Sequence, residues 1–468
     1  MIKVRNQKLE ARCKKPIPIF DFRFPNLKSK IVNRKSQIIL LLLLLTIFLN
    51  TGHAKVYIDI HAPAGKRLPI AIPDIKNLGD VNIQSEIGGS LRDILVRDLE
   101  FSGLFSIIDK KAYIEDPNKK EDSIDFKDWQ VIGADALIRG AFTAAGDDLT
   151  VELKLFDTFQ AKMLTGRKYV GKKADVRRIV HKFADEVMES LTGEKGIFDT
   201  RLLFVSNISG SKEIYMADYD GYNLRQVTKN RSINLSPQWS PDGKRVLYTS
   251  YKEGQPYLYL LELATGKEIK LSNHQGINIG ARWSPSGKDI ALTLSKDGNP
   301  ELYILEFEGM RLKRLTNNWA IDVSPSWSPD AKKLVFISDI GGNPHIYMIS
   351  SDGTGYVRLT YDGKYNAAPA WSPKGDKIAF ARLNGGHFDI WTMNVDGTGQ
   401  IQLTSNGGDN ESPAWSPDGR YITFSSTRDG AAGIYIMRDN GADQKRITMV
   451  GGEKGSLTAP SWSPYLMQ

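Results

Sequence analysis

Beyond residue 200 the chain is a succession of short apolar runs separated by turn residues, and the succession repeats. Each unit opens with a run ending in Trp, passes through Ser-Pro-Asp-Gly or a variant of it, and enters a second apolar run (245–250, 289–294, 333–338, 377–382, 421–426). A third run (257–263, 301–307, 345–350, 389–394, 433–438) leads through a Gly-containing turn to a fourth that ends in Arg-Leu-Thr or similar. The short β-rich runs predict strands, and Pro-Asp-Gly predicts tight hairpins, because Pro presets φ and Gly accepts a positive one. Trp239, Trp283, Trp327, Trp371 and Trp415 recur every 44 residues, and Trp462 follows 47 residues after the last of them.

Four strands every 44 residues is the pattern of a β-propeller blade. One such sheet cannot bury both faces, whereas a ring of stacked blades can, and the six Trp then become wedges between blades. The ends of the region complement one another. Residues 201–206 read as a second strand without a first, and residues 459–464 as a first strand without the others. Pairing them gives six blades and leaves no long open edge between first and last.

Residues 55–198 lack this period. Strands are expected at 55–60, 68–75 and 105–109, an amphipathic helix at 86–101, and a hairpin from 134–144 and 149–157. A second helix is expected at 174–191, where Val176, Ile179, Val180, Phe183, Val187, Met188 and Leu191 fall on one face and Gly193 suits the C-cap. The expected architecture is an all-β six-bladed β-propeller (199–468) preceded by a small α/β domain with a mixed sheet (55–198).

Charge changes the picture at the N-terminus. The chain carries a formal +8, but residues 1–54 hold 11 Lys and Arg against 2 Asp and Glu, leaving 51 basic and 52 acidic residues elsewhere. No excess positive charge remains to neutralise phosphates, so a nucleic-acid partner is not expected. The first 54 residues instead have the form of an export signal: Lys28, Lys30, Arg34 and Lys35, a run of 12 from Ile38 to Leu49, then Gly52-His53-Ala54. The run falls short of the roughly 20 apolar residues needed to span a bilayer. Cleavage after Ala54 and a soluble exported product are expected, without direct membrane insertion. The only Cys, Cys13, lies in this leader.

Candidate chemistry is sparse. Six His occur, with no metal-binding spacing, no phosphate-cradling loop and no Gly-x-Ser-x-Gly turn in or after the repeats, so no catalytic residue, metal or cofactor is expected. His181 is expected as a solvated residue on its helix, and His274, His345 and His387 fall in separate blade loops. One constellation does stand out. Five residues before each Trp the chain has Asn234, Asn278, Asp322, Asn366 and Asn410, with Leu457 before Trp462. These begin the innermost strands and so should ring one mouth of the channel. Asn and Asp there suit two roles: bonding nearby backbone in turns, or presenting donors and acceptors to a peptide loop or an ion. Leu235, Ile277, Ile279, Ile321, Val323 and Ala367 lie beside them as apolar complement.

The KVYIDI start at 55–60, GADALIRG at 133–140, DYDGYN at 218–223, the Ser-Pro-Asp-Gly repeats and the terminal WSPYL together resemble the TolB family, periplasmic propeller proteins of the Tol-Pal envelope system. The resemblance implies a non-enzymatic, monomeric adaptor that needs no cofactor and supports outer-membrane integrity and constriction during division. It implies a peptidoglycan-associated lipoprotein, Pal, at the propeller mouth, facing Asn234, Leu235, Ile277, Asn278, Gly280, Asp322, Val323, Asn366, Ala367, Asn410, Glu411 and Leu457. It also implies a TolA-like inner-membrane protein at the N-terminal segment, Lys55, Val56, Tyr57, Ile58, Asp59 and Ile60. Asp330-Ala331 departs from the Asp-Gly pattern. Two alternatives stay open: a lyase or hydrolase using Asp322 and Glu411 in the channel, and a general scaffold for another exported protein.

Overall fold

Six four-stranded antiparallel sheets follow one another around a ring in a computed structural model that describes residues 58, 67–79, 84–114, 124–405, 407–449 and 455–466. Blade 1 runs outward from Asn234–Trp239 through Arg245–Ser250 and Tyr257–Glu262 to Glu268–Ser272. Blades 2 to 5 open at Asn278–Trp283, Asp322–Trp327, Asn366–Trp371 and Asn410–Trp415. Blade 6 is made from both ends of the region. Leu457–Trp462 pairs antiparallel with Arg201–Ser206, Leu457 opposite Ser206 and Trp462 opposite Leu202, and Glu213–Asp218 and Arg225–Gln226 complete the sheet. The closure expected from the complementary ends is therefore observed.

The Trp residues act as the repeat implies. Trp283 packs on Leu247, Leu258 and Leu260 of blade 1, and Trp415 on Ala379, Ile390 and Leu403 of blade 4. The indole N–H groups of Trp239, Trp327 and Trp415 donate to the Ser461, Arg282 and Ala370 carbonyls of the preceding blade at 3.2, 3.1 and 2.9 Å. Burying each ring contributes about 1.5–3 kcal/mol, and the N–H bond fixes its orientation.

One device was not legible in the repeat. The third residue of every inner strand is left-handed: Ser236 (φ 52°), Gly280 (65°), Ser324 (57°), Ala368 (47°), Ser412 (55°) and Ala459 (49°). The ladder register jumps at each of these points, as a β-bulge requires. Pro follows in five blades, where a missing N–H costs no ladder bond. Blade 2 has Gly280-Ala281 instead, and Gly takes the left-handed backbone without strain. Ala331 likewise adopts φ 58° where blades 1, 2, 4 and 5 place Gly.

Residues 55–468 form one compact unit. In its N-terminal part, β1 (Leu68–Ala71), β2 (Lys76–Asn77), β3 (Phe105–Ile107), β4 (Ala136–Ala145), β5 (Asp148–Asp157) and β6 (Lys162–Lys172) form one mixed sheet ordered β3-β1-β4-β5-β6, with β2 also on β4. Pairings among β1 to β4 are parallel, and β4-β5-β6 is antiparallel. Among the described residues three α-helices accompany it: α1 (Gln84–Ser102), α2 (Phe126–Val131) and α3 (Val176–Thr192). The helix expected at 174–191 is α3, and Gly193 caps it at φ 77°. Strand β6 and helix α2 were not anticipated. The strand expected at 68–75 stops at Ala71. Of the strand expected at 55–60 only Ile58 is described, its N–H donating to the Leu191 carbonyl at 2.7 Å; the rest, like the leader, lies outside the described residues.

A single hydrophobic cluster joins this part to the ring. Leu95, Leu99, Phe183, Val187 and Phe198 pack with Tyr215, Tyr219 and Trp462 of blade 6 and with Tyr421 and Ile434 of blade 5.

Candidate functional site

The first residues of the inner strands do ring one mouth, because each follows directly on the loop from the preceding blade. Their side chains turn into the blades. Asn234, Asn278, Asp322, Asn366 and Asn410 are 0% exposed, and Leu457 is buried with them. Asn234 donates to Glu213 (2.9 Å) and to the Lys212 carbonyl (3.0 Å). Asn278 accepts from Ser272 Oγ (2.7 Å) and His274 N–H (3.1 Å) and donates to the His274 carbonyl (2.8 Å). Asn366 accepts from Arg382 (2.8 Å), and Asn410 from Arg428 (2.7 Å). Asp322 accepts from Asn318 (2.8 Å) and Tyr356 (3.3 Å), and burial raises its pKa. Asn278 bonds nearby backbone as a turn residue does, whereas Asn234, Asp322, Asn366 and Asn410 also bond side chains distant in sequence, so the ring ties down the mouth from inside. Replacing Asn278 by Ala is expected to cost about 1–3 kcal/mol, read from urea unfolding, since buried loop groups lose their partners. An unchanged midpoint would show that the loop holds itself.

What the mouth shows to solvent is different. Leu235, Ile277, Gly280, Val323 and Ala367 are half-buried around it, and Glu411 is exposed. Outside them stand Ile321, expected beside the ring, and four large side chains that the repeat did not single out: Trp319 (72% exposed), Tyr361 (69%), Ile233 and Tyr365. All five sit in loops that enter an inner strand, so all lie on this mouth. Trp319 carried a readable signal, being a Trp outside the 44-residue register. Asp322, the carboxylate of the enzymatic alternative, is 0% exposed with both oxygens bonded, and so offers no proton to the channel.

The His residues divide differently from expectation. His345 is buried against Thr360 and Asn366, and burial lowers its pKa. His274 is half-buried in the mouth, and His387 is exposed near Asp409. His181 is not solvated: it is 1% exposed at the junction of α3 with blade 6. Its Nδ1 meets Asp98 of α1 at 2.7 Å, and the other Asp98 oxygen accepts from the Tyr219 hydroxyl at 2.6 Å. Its Nε2 is 3.6 Å from Asp220, which Arg177 also pairs. Burial works to lower the His181 pKa, but the charge and hydrogen bond of Asp98, aided by Asp220, hold it above 6.5. Helical spacing could not reveal this, because the covering surface comes from the propeller. His181, Asp218 and Asp220 have ligand atoms within 4.8 Å of one another, yet Arg177 is paired with Asp220 and Arg201 lies 3.7 Å from Asp218, so the group is an ion-pair network.

A closed ring with a hydrophobic, loop-built mouth and a fused mixed-sheet domain defines a six-bladed β-propeller joined to a small mixed-sheet domain. The model of the TolB beta propeller domain matches residues 188–466, and that of the TolB amino-terminal domain matches residues 56–164. The chain belongs to the TolB family. It is 43% identical over 196 residues to the Tol-Pal system protein TolB of Desulfosudis oleivorans, covering 41% of this chain and 45% of that one. With the Tol-Pal system protein TolB of Syntrophotalea carbinolica it shares 44% over 209 residues, covering 44% and 48%. The matched stretch thus spans about half the length of these relatives. The crystal structure of TolB from Acinetobacter baumannii superposes with a TM-score of 0.73 at 28% identity, over 86% of this chain and 97% of that one.

Proposed function

We propose that the protein is a non-enzymatic adaptor of the Tol-Pal envelope system, exported to the periplasm by cleavage after Ala54. It binds a Pal-like peptidoglycan-associated lipoprotein at the propeller mouth and a TolA-like inner-membrane protein through residues 55–60. In this way it supports outer-membrane integrity during division. Family membership supports the reading, and no described helix is long and apolar enough to cross a membrane. The observation that carries it is the gathering of Trp319, Tyr361, Ile233, Ile321 and Tyr365, exposed, on one mouth. Exposed aromatics on rigid loops are the usual anchors of protein interfaces. The buried Asn and Asp ring holds these loops in place and so reduces the ordering cost of binding.

Trp319→Ala is expected to weaken capture of the soluble domain of the Pal-like lipoprotein by about 30-fold or more, as anchor truncation does. Calorimetric titration measures it, and the melting temperature should stay put because Trp319 contributes little to the core. Unchanged affinity for Trp319→Ala and for a Tyr361→Ala companion would move the interface elsewhere.

A further inference from the structure

Toward its other end the channel holds a cavity of about 690 Å³, bounded by the Trp-Ser-Pro segments of the inner strands. Its wall is lopsided. The fifth residue of each inner strand lines it, and in ring order these are Ser461, Gln238, Arg282, Ser326, Ala370 and Ala414. Four successive blades supply polar side chains, and the two opposite supply methyl groups.

Arg282 is the one charged side chain among the described residues lining this cavity. Its guanidinium has five donors. It donates to the carbonyl of its own neighbour, Ala281, at 3.2 Å, and no described carboxylate pairs with it. Burial alone acts on it, lowering its pKa to about 10, so it remains charged at neutral pH. Arg282 is half-buried in the cavity wall, and a partly desolvated cation without a counter-charge is costly. The flanking groups add capacity: Ser326 Oγ accepts from the backbone N–H of Trp371 at 3.0 Å and keeps a hydroxyl proton to donate, and Gln238 donates to the Pro237 carbonyl of its own strand. A planar fork beside an amide and a hydroxyl matches a carboxylate in shape and charge.

We infer that this cavity is a carboxylate-binding site in which Arg282 grips the ligand's carboxylate, Gln238 and Ser326 flank it, and Ala370 and Ala414 receive its apolar carbons. The site is at the opposite end from the exposed aromatic mouth and stands whether or not that mouth binds a lipoprotein. The carboxylate belongs either to a free organic acid or to an acidic side chain of a peptide.

Isothermal titration of the purified protein tests this with two probes, 3-phenylpropionate and the amide of N-acetylglutamate. Saturable binding of at least one is expected. Arg282→Gln should weaken it by about tenfold or more, and Arg282→Lys by less, because a point charge replaces a fork. Binding of phenylpropionate alone assigns a free acid, and binding of the glutamate derivative assigns an acidic side chain. Without ligand, Arg282→Gln should melt no lower than the parent, since an unpaired cation has been removed. Failure of both probes to saturate, equal binding by Arg282→Gln, or equal binding of neutral 3-phenylpropionamide overturns the site.

Discussion

Trp462→Ala is expected to destabilise the protein by about 3–5 kcal/mol, more than the same change at any other wedge Trp. Trp462 lies in the cluster shared by blade 6, blade 5 and the N-terminal part, with Tyr421 at 6.5 Å between ring centroids. Its indole N–H donates to Thr200 Oγ1 at 2.9 Å, in the segment that leads into the ring. The same side chain therefore wedges two blades, latches the closing strand and seats the preceding domain. Trp283 is the proper control. Among the described residues it packs between blades 1 and 2, and its N–H finds no partner there. Urea unfolding of the two variants measures the difference. A lower m-value for Trp462→Ala would mark partial opening of blade 6, whereas matching midpoints would deny the closing strand any special weight.

The second large effect is expected at Asp98, which is 1% exposed and bonded to both His181 and Tyr219. Asp98→Ala leaves a buried imidazolium and hydroxyl without their acceptor, a loss of about 3–5 kcal/mol near pH 6. The deficit should narrow by pH 8, because His181 can then shed its proton rather than remain a buried charge. In the parent the sign follows from linkage. A His whose folded pKa lies above 6.5 contributes stability that is complete below 6.5 and fades as pH rises through the folded value. Asp185, on the same helix, has the same sign. Burial lifts it from 3.8 to about 7 against the N–H bonds from Phe198 and Asp199, so stability declines across that window as pH rises. Hydrogen exchange of the α3 amides between pH 5 and pH 8 should report easier opening at the higher pH. A flat profile after correction for intrinsic exchange would remove the linkage.

Legibility followed the period. Trp and turn residues at a spacing of 44 carried the ring, the blade count and the closure, because every blade solves the same burial problem with the same residues. Helices α1 and α3 were readable for the reason any amphipathic helix is. Strand β6 was not: its side chains are exposed or half-buried, so no alternation marks it. At the mouth, spacing located Asn278 and its counterparts on the inner strands but not their direction, which depends on the loop bonds around them. Arg282 was hidden in plain view, a cation where the other blades have Gln, Ser or Ala. His181 could not be read at all, since Asp98 is 83 positions away and Tyr219 belongs to the propeller.

The division of blade 6 between Arg201–Ser206 and Leu457–Trp462 also has a meaning in time. Leu457 and Trp462 are made long after Arg201–Ser206, yet both belong to the core that helices α1 and α3, made before the ring, must complete. A chain interrupted before Leu457 therefore exposes Leu202, Tyr215 and Tyr421 together, and proteases meet it as an unfinished product.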